Sequence, residues 1–250
     1  MSRAVALLAA LMLGAAPARA AEPAPARAAE PAGWSSWEIT PPAGTRQWCC
    51  VSGPNWDRRS PGCTLEESSH SRTEIEADGR ARVYLRHDGG ALRDVRVYAA
   101  NCPVRSTAPI TDLGTRTPAQ SLEAILGGEL DPDRLYPALA AHGTPRAAAE
   151  LRQRGEAGSG EARDQAWFWY ATIAPPEAER VLQAAIRRAA GEQDPLVFAL
   201  AQLPPPRGTR ALLSVLRDPQ QSLAARKHTL FWLGQSEDPD AHRAVAELLD

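Results

Sequence analysis

Hydrophobic and polar residues alternate along residues 34–107 with the two-residue period of β-strands. Three segments show this alternation: residues 73–76, 82–86 and 95–98. They are separated by Asp78-Gly79 and by Asp88-Gly89-Gly90, which supply the positive backbone φ angles that tight hairpin turns need. The pattern therefore predicts a three-stranded antiparallel meander, with residues 37–40 and 45–51 as further candidate strands of the same sheet.

From Pro118 onward the period becomes that of helices, and Pro, Gly and Asp separate the segments. Four similar segments each precede a second apolar helical segment. The first segments are residues 136–142, 166–172, 196–202 and 229–235. The second segments lie near residues 147–151, 181–186, 211–216 and 244–248. Phe168, Phe198 and Phe231 follow one another at steps of 30 and 33 residues, which indicates an internal repeat.

A helix pair of this length cannot bury its apolar faces alone, and stacking on neighbouring pairs solves that problem. The repeat therefore predicts an all-α solenoid over residues 118–250. Together with the strand pattern, it predicts the α+β class. In this class we expect a small disulfide-linked antiparallel β domain at residues 34–107, followed by the solenoid.

The N-terminal residues predict export. Arg3, the apolar stretch 4–16 and the cleavage-like Ala18-Arg19-Ala20 are typical of a secretory signal peptide over residues 1–20. The Ala- and Pro-rich residues 21–33 predict a linker. No later stretch reaches the ~18 apolar residues that a spanning helix needs, so we expect a periplasmic or secreted protein with no membrane span after processing.

All four cysteines, Cys49, Cys50, Cys63 and Cys102, lie in the predicted β domain. An even number in an exported protein predicts two disulfides. A bond between the neighbours Cys49 and Cys50 would strain the peptide that joins them, so each is expected to pair with Cys63 or Cys102. Two pairings remain open, and the one we favour joins Cys50 to Cys63 and Cys49 to Cys102.

The motifs of common catalytic and metal sites are missing from the sequence. The cysteine spacing lacks a C-x2-C pair, so no zinc, other metal or cofactor is predicted. The chain has no G-x-S-x-G, no phosphate-binding glycine loop, no H-E-x-x-H and no EF-hand loop, and we assign no catalytic residue. A redox-active Cys49-Cys50 dithiol is the alternative, although the usual C-x-x-C arrangement is missing.

Composition and charge exclude two classes of protein. A chain with 44% hydrophobic and 23% charged residues has the composition of a folded globular protein rather than a disordered one. The 28 Lys and Arg residues are balanced by 30 Asp and Glu residues, so the basic surface of a nucleic-acid-binding protein is not expected.

Two segments resemble short bacterial HEAT repeats of the PBS-lyase-like kind: ARKHTLFWLGQSEDP at residues 225–239 and ARDQAWFW at residues 162–169. This resemblance covers roughly residues 120–250 and implies that the solenoid is HEAT-like. Cys49-Cys50, the segment 63–66 (CTLE) and the segment 101–104 (NCPV) are similar to a cysteine-bearing N-terminal module of some exported proteobacterial HEAT-repeat proteins.

The resemblance implies a non-catalytic protein-binding or scaffold protein of the cell envelope, with a role in envelope regulation or assembly. The alternative class is an enzyme. It would be either a thiol oxidoreductase that uses Cys49 and Cys50, or a lyase or oxygenase of the helical-repeat type.

The candidate binding residues are Trp169, Trp232 and Phe231. Trp169 and Trp232 occupy the same repeat position, with Ala199 between them, so they would form a groove for a peptide or a partner helix if they face one side. Packing between repeats is the alternative. We also expect the C-terminal repeat to leave apolar surface that a partner protein or a homodimer covers.

Overall fold

The computed structural model describes residues 33–51, 62–67, 71–76, 78–173, 175–189, 191 and 193–247. The predicted signal peptide at residues 1–20 lies outside the described residues, and so does the predicted linker at residues 21–33 apart from Gly33. The described residues belong to one compact unit. In this part of the chain, no helix combines the length and the apolar character that crossing a membrane requires.

The described residues form eight strands: β1 Trp34–Ile39, β2 Trp48–Val51, β3 Cys63–Thr64, β4 Ser71–Glu74, β5 Ala81–Asp88, β6 Ala91–Ala99, β7 Val104–Arg105 and β8 Ile110–Thr115. Four of them make a sheet in the order β6-β5-β1-β8. The remaining strands make two ribbons, β2 with β4 and β3 with β7. The pairs β1–β8 and β3–β7 are parallel, whereas β1–β5, β5–β6 and β2–β4 are antiparallel.

The strand prediction is confirmed for the hairpin of β5 and β6, whose turn holds Gly89 and Gly90 at φ angles of 58° and 80°. It is wrong for the first strand of the meander, because β4 pairs with β2 instead of β5. It is also wrong in expecting only antiparallel pairs, and β8 lies beyond the predicted limit at residue 107. Alternation identifies a strand but carries no information about its partner or direction, which depend on tertiary contacts.

The described residues also form nine helices: α1 Pro118–Leu126, α2 Pro132–His142, α3 Pro145–Ala157, α4 Gly160–Ile173, α5 Ala178–Arg188, α6 Asp194–Ala201, α7 Arg207–Arg217, α8 Leu223–Gly234 and α9 Pro239–Ala246. The four first segments of the predicted repeat fall on α2, α4, α6 and α8, and the four second segments fall on α3, α5, α7 and α9. The predicted helices are therefore confirmed, although Pro137 lies inside α2.

Prolines and short polar residues explain where several helices begin. A proline occupies the first or second position of α1, α2, α3, α6 and α9, where its missing N–H would have no partner within the helix. Thr117, Thr144 and Ser222 each accept a hydrogen bond from a backbone N–H in the first turn of the following helix. These signals restart a helix after each turn, which produces a succession of short helices.

The helices pack on their second neighbours along the chain. Helix α4 lies against α2 and α6, and α8 lies against α6, so the first helices of the successive pairs form one layer. Helix α7 lies against α5 and α9, so these three second helices lie side by side. This arrangement brings equivalent positions of α4, α6 and α8 next to one another, and those positions carry the aromatic residues described below.

The two faces of the four-stranded sheet contribute to two different cores. Trp37, Ile39 and Val83 pack with Leu122 and Ile125 of α1 in a core that continues through the helices. Residues on the other face form a smaller core with the cysteines: Trp34, Tyr84, Tyr98, Ala99, Leu65, Cys49, Cys50, Cys63 and Cys102. The sheet is thus joined to the helices by a common hydrophobic core, and the disulfides lie on its opposite side.

Candidate functional site

Aromatic side chains on three neighbouring helices contact one another. Phe168 of α4 stacks on Phe198 of α6 with 5.6 Å between ring centroids and 10° between ring planes. Phe198 in turn contacts Trp232 of α8, with a centroid distance of 4.8 Å. Because the helices pack in a layer, residues about thirty positions apart in the sequence become adjacent in space. The repeat therefore produces a line of rings across the layer.

This line extends at both ends. The ring centroid of Trp169 lies 5.0 Å from that of Phe168. Trp48 of strand β2 contacts Trp169 edge-on, with a centroid distance of 5.6 Å. At the other end, the ring centroid of Phe231 lies 5.1 Å from that of Trp232. We call these six residues the aromatic row: Trp48, Trp169, Phe168, Phe198, Trp232 and Phe231. The row runs without a break from the cysteine-bearing strand β2 to helix α8.

The residues of the aromatic row remain partly accessible to solvent. Phe231 is 57% exposed, and the other five side chains are half-buried. By contrast, Trp167 and Tyr170 of the same helix α4 are only 3% and 0% exposed. In the second half of α4, one face therefore fills the core and another carries the row. Each ring pair of this kind contributes about 0.5–1.5 kcal/mol beyond its buried area.

The structure brings the three predicted binding residues into this one row. Trp232 and Phe231 contact each other directly, whereas Trp169 reaches them through Phe168 and Phe198. Helix α6 contributes Phe198 to the row, and this ring contacts both Phe168 and Trp232. The neighbouring residue Ala199, which the sequence placed between Trp169 and Trp232, is fully buried. Consecutive residues on a helix point about 100° apart, so Ala199 lies in the core although its neighbour Phe198 belongs to the row.

Sequence reasoning missed the roles of Trp48, Phe168 and Phe198. The spacing of Phe168, Phe198 and Phe231 indicates the internal repeat, and in the structure all three residues belong to the aromatic row. Trp48 gave no such signal, because its contact with Trp169 joins a strand to a helix. A cleft of about 100 Å³ adjoins Trp48, and Thr172 and Ile173 of α4 line one side of it.

Polar groups flank the row on α6 and α8. The Nε2 atom of His228 lies 3.0 Å from a carboxylate oxygen of Asp194, and both side chains are well exposed. These residues precede Trp232 and Phe198 by four positions, so their contact lies one helical turn from the aromatic contact. On the other side of the rings, Gln202 donates a hydrogen bond to the backbone carbonyl of Phe198.

The predicted disulfide cysteines form two bonds in the smaller core. Cys49 is joined to Cys102 and Cys50 to Cys63, which is the pairing favoured from the sequence. Cys49, Cys50 and Cys63 are 0% exposed, and Cys102 is 6% exposed. The Cys49-Cys50 pair that defined the oxidoreductase alternative is therefore buried and divided between two disulfides. Disulfides of this kind are typical of proteins in oxidising compartments.

A buried polar network, which the sequence did not predict, joins the sheet to the helices. Trp37 Nε1 donates to Ser121 Oγ at 2.9 Å, and the Ser121 hydroxyl donates to His142 Nε2 at 2.8 Å. His142 Nδ1 donates to the carbonyl of Ala138 at 2.6 Å, since a carbonyl can only accept. Burial lowers the pKa of His142 to about 4, although the hydrogen bond to Ala138 acts in the opposite direction.

This network does not have the geometry of a catalytic serine and its base. Trp37, Ser121 and His142 are at most 2% exposed, so a substrate could not reach the Ser121 hydroxyl. The His142 Nδ1 atom also binds a carbonyl rather than the carboxylate that usually orients a catalytic histidine. We conclude that the three side chains act as a structural link between β1, α1 and α2.

Comparison of the chain with protein-family models, curated proteins and solved structures gave no match. The resemblance to HEAT repeats therefore depends on the residues of the two segments described above.

Proposed function

We propose that this protein is a non-catalytic binding or scaffold protein of the cell envelope, exported to the periplasm or secreted. Its helices would form a HEAT-like solenoid that follows a small disulfide-linked β region. In this proposal the aromatic row binds a segment of a different protein. The observation that carries the proposal is the unbroken series of ring contacts from Trp48 to the exposed Phe231.

A protein segment fits the chemistry of the row better than a small molecule. Tryptophan and other aromatic residues are enriched in protein interfaces and at the residues that dominate binding energy. The rings already hold one another in place, so binding would cost little side-chain entropy. Steps of 4.8 to 5.6 Å between successive rings give the row a contour length that corresponds to an extended segment of at most about eight residues.

The exposed apolar residues of α8 also support a binding role at this end of the row. Leu223, Leu230 and Phe231 are 61%, 37% and 57% exposed. They lie at spacings of seven and eight residues, which places them on one side of the helix. A second copy of the chain could cover this side, and this homodimer is a distinguishable outcome of the experiment below.

Site-specific photocross-linking in the cells that produce the protein tests the proposal. A photoreactive amino acid would replace Phe231 in one variant and Arg210 in a control. Arg210 is exposed on α7 and does not belong to the aromatic row. We expect a discrete cross-linked product with another protein from position 231 and none from position 210.

Two results would overturn the proposal. The absence of any product from position 231, or the same products from both positions, would show that the row is not a specific binding surface. A product of twice the mass of the chain would assign the surface to a homodimer instead of a different protein.

A further inference from the structure

We propose that the two disulfides form a single thiol–disulfide exchange unit, in which Cys102 is the sulfur that external thiols attack. Both bonds are then reduced through Cys102, including the Cys50–Cys63 bond, in which Cys102 does not take part. This activity is separate from the aromatic row and does not depend on its function.

The sulfurs of the two disulfides are in contact. Cys63 Sγ lies 3.6 Å from Cys102 Sγ, although the two atoms belong to different bonds. The Sγ atoms of Cys49, Cys63 and Cys102 all lie within 4.8 Å of one another. The separation of 3.6 Å is close to van der Waals contact, so a thiolate at one of these positions already touches the other disulfide.

The backbone explains this proximity. Cys49 and Cys50 are neighbours on β2, so the two bonds begin at adjacent positions. Strand β3 pairs in parallel with β7, where Cys63 is opposite Val104. Cys102 precedes Val104 by two residues, and the backbone N–H of Cys63 donates to the carbonyl of Pro103. The two partner cysteines are therefore held side by side at the ends of the two bonds.

Access from solvent differs between the bonds. Cys50 and Cys63 are both 0% exposed, so an external thiol cannot meet either sulfur of their bond in the folded protein. Cys49 is also 0% exposed, whereas Cys102 is 6% exposed. Because the rate of exchange depends on access to the attacked sulfur, the first attack is expected at Cys102.

The first reduction consumes two external thiols. A thiolate attacks Cys102 Sγ, the bond between Cys49 and Cys102 breaks, and Cys49 leaves as a thiolate that takes up a proton. A second external thiolate attacks the external sulfur of this mixed disulfide. It forms an external disulfide and releases Cys102 as a thiolate. Two thiols have been oxidised to one disulfide, and one protein disulfide has been reduced to two thiols.

The internal exchange then follows without a further reductant. The Cys102 thiolate attacks Cys63 Sγ, a new bond forms between Cys63 and Cys102, and the bond between Cys50 and Cys63 breaks. Cys50 leaves as a thiolate and takes up a proton. The remaining disulfide again includes Cys102, so two more external thiols can reduce it in the same way. Cys49 and Cys50 remain as a pair of neighbouring thiols.

Mapping of the disulfides during partial reduction tests this sequence. The folded wild-type protein would be treated with reduced glutathione, quenched with N-ethylmaleimide at early times, digested and analysed by mass spectrometry. We expect single-disulfide protein that contains a Cys63–Cys102 bond and carries the alkylating label on Cys49 and Cys50. Single-disulfide protein with only the two original bonds would overturn the proposal.

Two double variants provide a kinetic test. Cys49→Ser with Cys102→Ser keeps only the Cys50–Cys63 bond, and we expect its reduction to be slower than in the wild type by a factor on the order of ten or more. Cys50→Ser with Cys63→Ser keeps only the Cys49–Cys102 bond, which should be reduced as fast as the first bond of the wild type. Reduction of Cys50–Cys63 at the wild-type rate without Cys102 would contradict the proposal. The wild-type mapping decides the question by itself if a variant does not fold.

Discussion

Phe168 and Phe198 stack with nearly parallel, offset rings whose centroids lie 5.6 Å apart, and this contact joins helices α4 and α6. Phe198 also contacts Trp232, with 4.8 Å between the ring centroids. The ring of Phe198 therefore lies between aromatic residues of two neighbouring helices. All three rings keep part of their surface accessible to solvent. The row therefore has a structural role between the helices and still offers apolar surface for binding.

The structural role of the row predicts the effect of Phe198→Ala. The substitution removes two ring contacts and leaves a cavity between three helices, so we expect a loss of about 2–4 kcal/mol in the free energy of unfolding. Phe198→Leu keeps most of the apolar volume and should lose less than half as much. Urea denaturation of the three proteins measures these differences. Equal stabilities would show that the rings do not hold the helices together.

The close approach of two helices predicts that Gly155→Ala is destabilising. A Cβ atom on Gly155 would lie 2.6 Å from Cε2 of Trp167, which is buried. We expect a net loss of about 1–3 kcal/mol, because the clash outweighs the better helix propensity of alanine. Gly234→Ala is the control, since nothing lies within 4 Å of the added atom. Thermal unfolding should separate the two variants, and similar melting temperatures would contradict the predicted clash.

Burial of His142 predicts a loss of stability in mild acid. Its folded-state pKa is about 4, against an ordinary value of 6.5, so between these values the unfolded chain binds a proton that the folded protein does not. The contribution is therefore complete above pH 6.5 and is lost as the pH falls towards 4. Its total is about 3 kcal/mol. Urea unfolding at several pH values measures the change.

His142→Gln is the matched variant for this experiment, because it removes one titrating group and leaves all others in place. We expect its stability to change less than that of the wild type between pH 6.5 and pH 4. Below that range, Glu66 should contribute to acid unfolding in both proteins. Hydrogen bonds from Ser106, Thr107 and Ala108 hold its pKa near 2 despite the opposing effect of desolvation. Parallel curves for the two proteins above pH 4 would exclude His142 as the cause.

The position of the disulfides predicts which part of the protein responds to reduction. Both bonds belong to the smaller core with Trp34, Tyr84 and Tyr98, whereas the opposite face of the sheet packs on the helices. Reduction should therefore change the near-ultraviolet circular dichroism of these aromatic residues and leave most of the helical far-ultraviolet signal. Each bond contributes roughly 3–4 kcal/mol through the loop that it closes. A parallel loss of both signals would contradict the separation into two cores.

Local sequence patterns were sufficient for the helices and for the exclusion of a disulfide between Cys49 and Cys50. The helical segments follow from apolar periodicity and from prolines such as Pro118 and Pro145 at helix starts. The pairing of Cys49 and Cys50 with different partners follows from their adjacency on a strand. Each of these inferences uses residues that are close in the sequence, where the geometry is set by the backbone alone.

Contacts between distant segments could not be predicted in the same way. The parallel pairing of β8 with β1 and the pairing of β4 with β2 depend on how the sheet packs against the helices and the disulfides. Trp48 contacts Trp169, and hydrogen bonds link Trp37 to Ser121 and Ser121 to His142. Both sets of contacts join a β-strand to helices, whose hydrophobic patterns have different periods. Burial of His142 is likewise a tertiary property, so the lowered pKa of this residue could not be predicted from the sequence.

The affinity of the cross-linked partner segment for three versions of this protein tests the central claim most directly. Phe231→Ala removes the most exposed ring of the aromatic row, and Leu113→Ala removes a similarly exposed apolar side chain of strand β8, outside the row and outside the exposed side of α8. Isothermal titration would give the three dissociation constants, with unfolding controls for stability. We predict that Phe231→Ala weakens binding by about 2 kcal/mol, roughly thirtyfold, and that Leu113→Ala changes it less than threefold. Unchanged affinity for Phe231→Ala, or equal losses for both variants, would contradict the assignment of the row as the binding surface.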